Sequence, residues 1–117
     1  MDQILDRIKL FIFDVDGTLI LGSKPLLFVK EVLHKLKEQK RDFLIISNNS
    51  SYSVKENKKR LEETIGVDLS FNNLYTSIQA TIDFLQKNNI KESYIVGTPS
   101  MISEFKNSGI KNTADNP

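Results

Sequence analysis

The chain has no cysteine and only three prolines and five glycines among its 117 residues. The lack of cysteine excludes disulfide scaffolds, thiolate zinc sites and cysteine nucleophiles. No apolar run approaches the roughly 18 residues that cross a membrane, and the early acidic residues are unlike a signal peptide. A net charge of +1 gives no strong field that favours nucleic acid or a membrane surface as a partner. We therefore expect a soluble, cytoplasmic globular protein.

Apolar residues follow an alternating pattern of strands and helices. Short apolar runs typical of strands buried on both faces occur at Ile8–Phe13, Phe43–Ile46 and Tyr94–Val96, and Leu74–Thr76 is a further short candidate. Helical spacing predicts four helices that begin near Pro25, Ser53, Ser77 and Ser100. Strands separated by helices of this length predict parallel βαβ units in an open α/β sheet.

Two carboxylates follow the first predicted strand. Asp14 and Asp16 stand in the sequence Asp-Val-Asp-Gly-Thr, and side chains two apart on extended backbone point to the same side. Clustered carboxylates repel each other, and a hard cation such as Mg²⁺ is the usual compensation. Gly17 allows a sharp turn at this point. Because ligands bind at the carboxyl ends of parallel strands, this segment is a candidate site.

Neutral hydrogen-bonding groups follow the second predicted strand. Ser47, Asn48 and Asn49 offer a hydroxyl, two amides and nearby backbone N–H groups, which are good donors to a phosphate or another oxyanion. Carboxylates with Mg²⁺ at one strand end and neutral donors at the next form a site suited to phosphoryl transfer.

These two segments resemble the first two motifs of the haloacid dehalogenase-like hydrolases. FIFDVDGTL is similar to the first motif, and LIISNNSS is similar to the second in the form typical of the class IIA phosphatases. YTSIQATIDFLQ and YIVGTPSMISEF also resemble class IIA sequence. The resemblance runs from about Lys9 to Gly109. It implies a Rossmann-like parallel α/β sheet, incomplete here, followed by the start of an inserted α/β cap.

The resemblance also implies an Mg²⁺-dependent phosphatase that acts on a small phosphorylated metabolite through an aspartyl phosphate. Asp14 would be the nucleophile, and Asp16 would protonate the leaving oxygen and then activate water. The metal would bind the Asp14 carboxylate and the Asp16 carbonyl. The phosphate-binding groups would be those of Ser47, Asn48, Gly17 and Thr18.

The sequence departs from the family pattern in its later motifs. The family's third motif supplies a lysine and its fourth supplies one or two further acids, and neither is recognisable after Gly97. The sequence thus looks like the first half of a phosphatase about twice its length. Residues 1–76 would belong to the catalytic core, residues 77–110 to the beginning of the cap, and residues 111–117 to a frayed tail. A catalytically inactive, truncated remnant is therefore the alternative hypothesis.

Simpler interpretations exist for each motif. Asp-x-Asp-Gly is also typical of a polar turn, and Ser47–Asn49 of a helix-capping loop. An EF-hand-like loop is excluded because the twelfth residue from Asp14 is Pro25 rather than glutamate. The basic residues around Lys58 share their helix with several glutamates, which favours a solvated face over a nucleic-acid site. A receiver-type domain fits the length, but its phosphoacceptor and late lysine have no counterpart.

Overall fold

The computed structural model of the chain describes residues 3–115, in which strands and helices alternate. The helices are α1 (Gln3–Asp6), α2 (Val29–Glu38), α3 (Val54–Ile65), α4 (Ser77–Lys87) and α5 (Pro99–Asn107). The strands are β1 (Leu10–Asp14), β2 (Ile20–Leu21), β3 (Lys24–Pro25), β4 (Asp42–Ser47), β5 (Leu74–Thr76), β6 (Glu92–Ser93) and β7 (Lys111–Asn112). Short 3-10 turns cover Phe71–Asn73 and Thr113–Asp115. None of the helices within the described range is long and apolar enough to cross a membrane.

The chain divides into two compact units. The first contains the residues up to Ser47 together with Lys58–Tyr75, and the second contains Asn48–Asn57 and the residues from Thr76 onward. The first unit is built on a sheet with the strand order β1-β4-β5, in which β1 and β4 run parallel. The predicted α/β fold with a parallel sheet is therefore confirmed.

The sheet of the first unit buries one face. Phe43 and Ile45 of β4 are buried there, and the ring of Phe13 meets that of Phe43 edge-on at a centroid distance of 6.4 Å. The alternate residues of β1 lie on the other face, where Leu10 and Ile12 are 47% and 59% exposed. The prediction that this strand is buried on both faces is wrong, because no described residue covers the face of the sheet that carries Leu10 and Ile12. Among the described residues β1 is also an edge strand of the sheet.

The start of α2 also differs from the prediction. Pro25, expected in the first helical turn, instead pairs with Ile20 in the β2–β3 hairpin, and Gly22 turns the hairpin with a φ of 66°. The helix begins at Val29, after Phe28 with a φ of 67° and no side-chain cap. From Val29 onward the apolar stripe is buried as the spacing predicts.

The two ends of α3 agree with the sequence. The N–H of Ser53 donates to Oε1 of Glu56 at 3.2 Å, and the N–H of Glu56 donates to Oγ of Ser53 at 3.1 Å, which forms the predicted capping box. Gly66, with a φ of 81°, follows the last residue of the helix. Within α3, Glu62 accepts a hydrogen bond from the N–H of Leu69 at 2.9 Å, and this bond is the main cause that lowers the pKa of Glu62.

The second unit has a separate apolar core. Its buried members are Ile78, Ile82, Ile95, Phe105 and Ile110. The helices α4 and α5 begin at Ser77 and Pro99, close to the predicted starts at Ser77 and Ser100, and their N-caps are Thr76 and Thr98. In both cases the threonine hydroxyl accepts from the third helical N–H, as a serine cap would.

The predicted buried strand at Tyr94–Val96 is not formed. The strand β6 is Glu92–Ser93, and it pairs in parallel with β7 over two residues. Of the apolar run that follows, only Ile95 enters the core, whereas Tyr94 and Val96 are 73% and 81% exposed. Within residues 3–115 the apolar run therefore pairs with no neighbouring strand, and only one of its sides packs against the core.

The segment expected to fray forms hydrogen bonds over its first residues. The N–H of Lys111 donates to the carbonyl of Lys91 at 2.8 Å, and the side chain of Asn112 is buried. Oδ1 of Asn112 accepts from the N–H groups of Ile95 and Ala114, both at 3.1 Å. These bonds lie within the segment expected to fray, which stays a prediction, and residues 116 and 117 lie outside the described range.

Candidate active site

The carboxyl ends of β1 and β4 lie side by side in the first unit. Asp14 is the last residue of β1 and pairs with Ile46, and Ser47 follows as the last residue of β4. The Asp14 side chain is exposed, whereas Ser47 is only 8% exposed. Asp14 and Ser47 are far apart in the sequence, but both thus lie at the carboxyl ends of neighbouring strands.

A tight loop follows Asp14 and is held by its own backbone. The carbonyl of Val15 accepts the N–H groups of Thr18, Leu19 and Ile20 at 3.2, 2.9 and 3.0 Å. The N–H of Gly17 donates to the carbonyl of Ile20 at 2.8 Å, and Gly17 has a φ of 80°, a conformation that favours glycine. The loop therefore has a fixed shape that depends on Gly17.

The loop leaves two acids accessible. Val15 is buried between them, while the side chains of Asp14 and Asp16 are both exposed. Asp16 also forms an isolated bridge with Ile20, which fixes its backbone. Chemically, one carboxylate is available to attack an electrophile, and a second, two residues away, is available to move a proton.

The acids are also suitable ligands for a hard cation. Carboxylate and carbonyl oxygens are what Mg²⁺ prefers, and it commonly takes one or two protein carboxylates together with waters and substrate phosphate. Within residues 3–115 no group of three or more His, Asp or Glu side chains is clustered for metal binding. Asp14 and Asp16 therefore fit an ion that draws the rest of its ligands from solvent and substrate.

The segment after Ser47 belongs to the second unit. There Asn48 is exposed, and its carbonyl accepts a hydrogen bond from Oγ of Ser77 at 3.4 Å. Nδ2 of the buried Asn57 donates to the carbonyls of Asn49 and Tyr52 at 3.2 and 3.4 Å. Sequence reasoning missed this role of Asn57. The available signal was an uncharged amide in the first turns of an otherwise strongly charged helix.

Comparison with known proteins identifies the class to which this fold and this pair of strand ends belong. The haloacid dehalogenase-like hydrolase family profile matches residues 11–111. The chain is therefore a member of the haloacid dehalogenase-like hydrolases, as the two motifs predict.

Several individual relatives within this family are named as phosphatases. The ribonucleotide monophosphatase NagD of Escherichia coli is 32% identical over 110 residues, which are 94% of this chain and 44% of that protein. The solved 4-nitrophenylphosphatase of Thermotoga maritima is 31% identical with a TM-score of 0.85, over 99% of this chain and 44% of the other. Glycerol phosphate phosphatase of Mycobacterium tuberculosis, solved in complex with calcium, is 26% identical with a TM-score of 0.75, over 92% and 32% of the two chains.

These matches also differ from the chain in length. The chain spans less than half the length of the curated relatives that it matches. The similarity thus includes the two motifs at the ends of β1 and β4 and most of the second unit, while the relatives are longer than the matched span.

Proposed function

We propose that the protein is a phosphomonoester hydrolase that works through Asp14. The observation that carries the proposal is the pairing of β1 with β4, because Asp14 and Ser47 end neighbouring parallel strands. Membership of a hydrolase family with several named phosphatases supports the same reaction class. The substrate class we infer is a small phosphorylated metabolite. The cytoplasmic location expected from composition stays a prediction.

In the first step the Asp14 carboxylate attacks phosphorus. A bond forms between a carboxylate oxygen and phosphorus, and the bond from phosphorus to the ester oxygen breaks. Asp16 gives its proton to the departing oxygen, so an alcohol leaves and an aspartyl phosphate remains. Ser47, with Asn48, Gly17 and Thr18, would donate hydrogen bonds to the phosphoryl oxygens.

In the second step water hydrolyses the aspartyl phosphate. Asp16, now ionised, takes a proton from the attacking water as the water oxygen bonds to phosphorus, and the bond from the Asp14 oxygen to phosphorus breaks to release inorganic phosphate. The Asp14 carboxylate and the Asp16 carbonyl would hold Mg²⁺, which when bound neutralises charge between the acids and the phosphoryl group. The calcium complex of the mycobacterial relative supports a divalent cation in this family.

Hydrolysis of p-nitrophenyl phosphate by the purified chain, with Mg²⁺ and with excess chelator, tests the proposal. We expect Mg²⁺-dependent release of p-nitrophenol that falls at least 100-fold in Asp14→Asn, because the amide is a far weaker nucleophile. Asp42→Asn is the matched control, since Asp42 is an exposed aspartate at the other end of the same strand pair. It should retain the wild-type rate.

Two results would contradict the proposal. Turnover that survives in Asp14→Asn would assign the chemistry to another group. A folded wild-type chain with no Mg²⁺-dependent turnover would favour the alternative, an inactive member of the family.

A further inference from the structure

The loop that follows Ser47 is held by its carbonyl groups. Residues 48–52, here named the β4–α3 loop, belong to the second unit and form neither helix nor strand. Four of the five carbonyls in this loop accept a hydrogen bond from a side chain of the same unit. The donors are Asn57, Ser77 and Thr98. The shape of the loop therefore depends on side chains that lie outside it.

Asn57 supplies two of these bonds from a single amide group. Its Nδ2 carries two hydrogens and lies 3.2 Å from the carbonyl oxygen of Asn49 and 3.4 Å from that of Tyr52. Asn57 is only 3% exposed. An apolar side chain of the same size would remove both donors and leave little room for water to replace them.

Thr98 joins the loop to the start of α5. Its Oγ1 donates to the carbonyl of Ser51 at 2.9 Å and accepts the N–H of Met101 at 3.2 Å. One hydroxyl can do both, because it has one hydrogen to donate and lone pairs to accept. The helix itself is fixed by Phe105, which lies in the apolar core of the second unit. Through Thr98 the loop is thus anchored to that core.

The carbonyl bonds also set the direction of the N–H groups in the loop. Among the described residues no peptide bond is cis, and in a planar trans peptide the carbonyl and the next N–H point in opposite directions. The bond from Asn57 to the carbonyl of Asn49 therefore turns the N–H of Ser50 away from Asn57. The bond from Ser77 to the carbonyl of Asn48 does the same for the next N–H. Donors that are ordered in advance lose less conformational entropy when an anion binds.

We propose that Asn57 and Thr98 are positioning residues for phosphate binding. They act by holding the β4–α3 loop, which begins directly after Ser47, so that its donors are ordered before a phosphoryl group arrives. The inference rests on the proposed function, because it needs a phosphoryl group bound by Ser47 and Asn48. A looser loop would weaken the binding of substrate and of phosphate alike and would have little effect on the chemical step at Asp14.

Titration with inorganic phosphate in the presence of Mg²⁺, followed by NMR of the backbone amides, tests the proposal without turnover. In the wild-type chain phosphate should shift the amide signals of residues 48–51. Asn57→Leu and Thr98→Val remove the donors with little change in size and add no charge. Each should raise the Kd for phosphate about 5-fold, the value of a typical net hydrogen bond. In the p-nitrophenyl phosphate assay KM should rise by a similar factor, while kcat changes less than about 2-fold.

Two further variants separate positioning from a general loss of stability. Thr98→Ser keeps the hydroxyl and should bind phosphate as the wild type does. Asn112→Ala removes another buried amide of the second unit, whose partners are the N–H groups of Ile95 and Ala114 rather than the loop. It should also leave the Kd for phosphate unchanged. The NMR order parameters of residues 49–52 should fall in Asn57→Leu and Thr98→Val only.

Three outcomes overturn the proposal. Wild-type phosphate affinity in Asn57→Leu or in Thr98→Val removes the role of that residue. An equal loss of affinity in Thr98→Ser or Asn112→Ala shows that the effect is one of stability. A wild-type chain whose loop amides do not respond to phosphate has no phosphate for the loop to bind.

The same measurements separate this proposal from the proposed function. A chain that binds phosphate as expected but keeps its turnover in Asp14→Asn contradicts only the proposed function. A chain whose turnover depends on Asp14, but whose phosphate affinity and KM do not depend on Asn57 and Thr98, contradicts only the positioning role.

Discussion

Phe28 has a backbone conformation that its side chain does not favour. Its φ of 67° lies in the left-handed region, which costs a non-glycine residue about 1–2 kcal/mol. The ring is 71% exposed, so burial recovers little of this cost. Phe28 precedes α2 without a side-chain hydrogen bond to the helix. The backbone at this position therefore favours glycine.

We expect Phe28→Gly to raise the free energy of unfolding by about 1 kcal/mol, since glycine adopts positive φ without strain. Urea denaturation of the isolated chain measures the change. Leu27→Gly is the control, because Leu27 is also highly exposed but is not among the described residues with positive φ. It should lower the free energy by about 0.5–1 kcal/mol. Similar changes in the two variants would show that strain at Phe28 is not released.

Single residues were predictable where their chemistry is local. The turn at Gly17 and the capping box of Ser53 with Glu56 follow from side-chain type and spacing alone. The strained Phe28 was not predictable, because the apolar stripe of α2 has the same period whether the helix starts at Pro25 or at Val29. Pro25, expected in the first helical turn, instead belongs to the hairpin of β2 and β3.

At the scale of elements, β7 depends on one buried amide. Asn112 accepts the N–H groups of Ile95 and Ala114 through a single oxygen. The residue is 5% exposed, so the buried N–H of Ile95 would lack an acceptor if the amide were removed. An unsatisfied buried N–H costs about 1–3 kcal/mol.

Asn112→Ala should therefore destabilise the chain by about 2 kcal/mol in urea denaturation, and Asn112→Asp should destabilise it less because an acceptor oxygen remains. Lys111→Ala, at the exposed neighbouring residue, should change the free energy of unfolding by less than about 0.5 kcal/mol. If Asn112→Ala left the free energy of unfolding unchanged, the tail would be frayed in solution, as the sequence alone suggests.

Elements were predictable in proportion to their length. The periodicity of α3, α4 and α5 gave their existence and approximate ends, and the βαβ alternation gave the parallel sheet. Strands of two residues carry no period of their own. For that reason β6 and β7 were not located, and the run at Tyr94–Val96 was misread as a strand when only Ile95 has a core to enter.

For the whole molecule, the apolar run at Ile8–Phe13 is informative because its prediction was wrong. Residues buried on both faces were expected, and the structure covers only one face of β1. The parallel pairing of β1 with β4 was predictable, and with it the position of Asp14 and Ser47 at the ends of neighbouring strands. The number of covered faces was not, because a run that is apolar on both faces predicts two covered faces, whereas only one face of β1 is covered within residues 3–115.

The one-sided sheet makes a direct prediction about two isoleucines on neighbouring strands. Ile45→Thr, at a fully buried position, should lower the free energy of unfolding by about 3 kcal/mol through lost packing and a buried hydroxyl. Ile12→Thr keeps the β-branched side chain on the open face and should cost about 0.5 kcal/mol. Both are measured by urea denaturation over a dilution series of the isolated chain. Equal losses at every concentration would contradict an open face, whereas an Ile12→Thr effect that disappears on dilution would mean that copies of the chain cover the face by self-association.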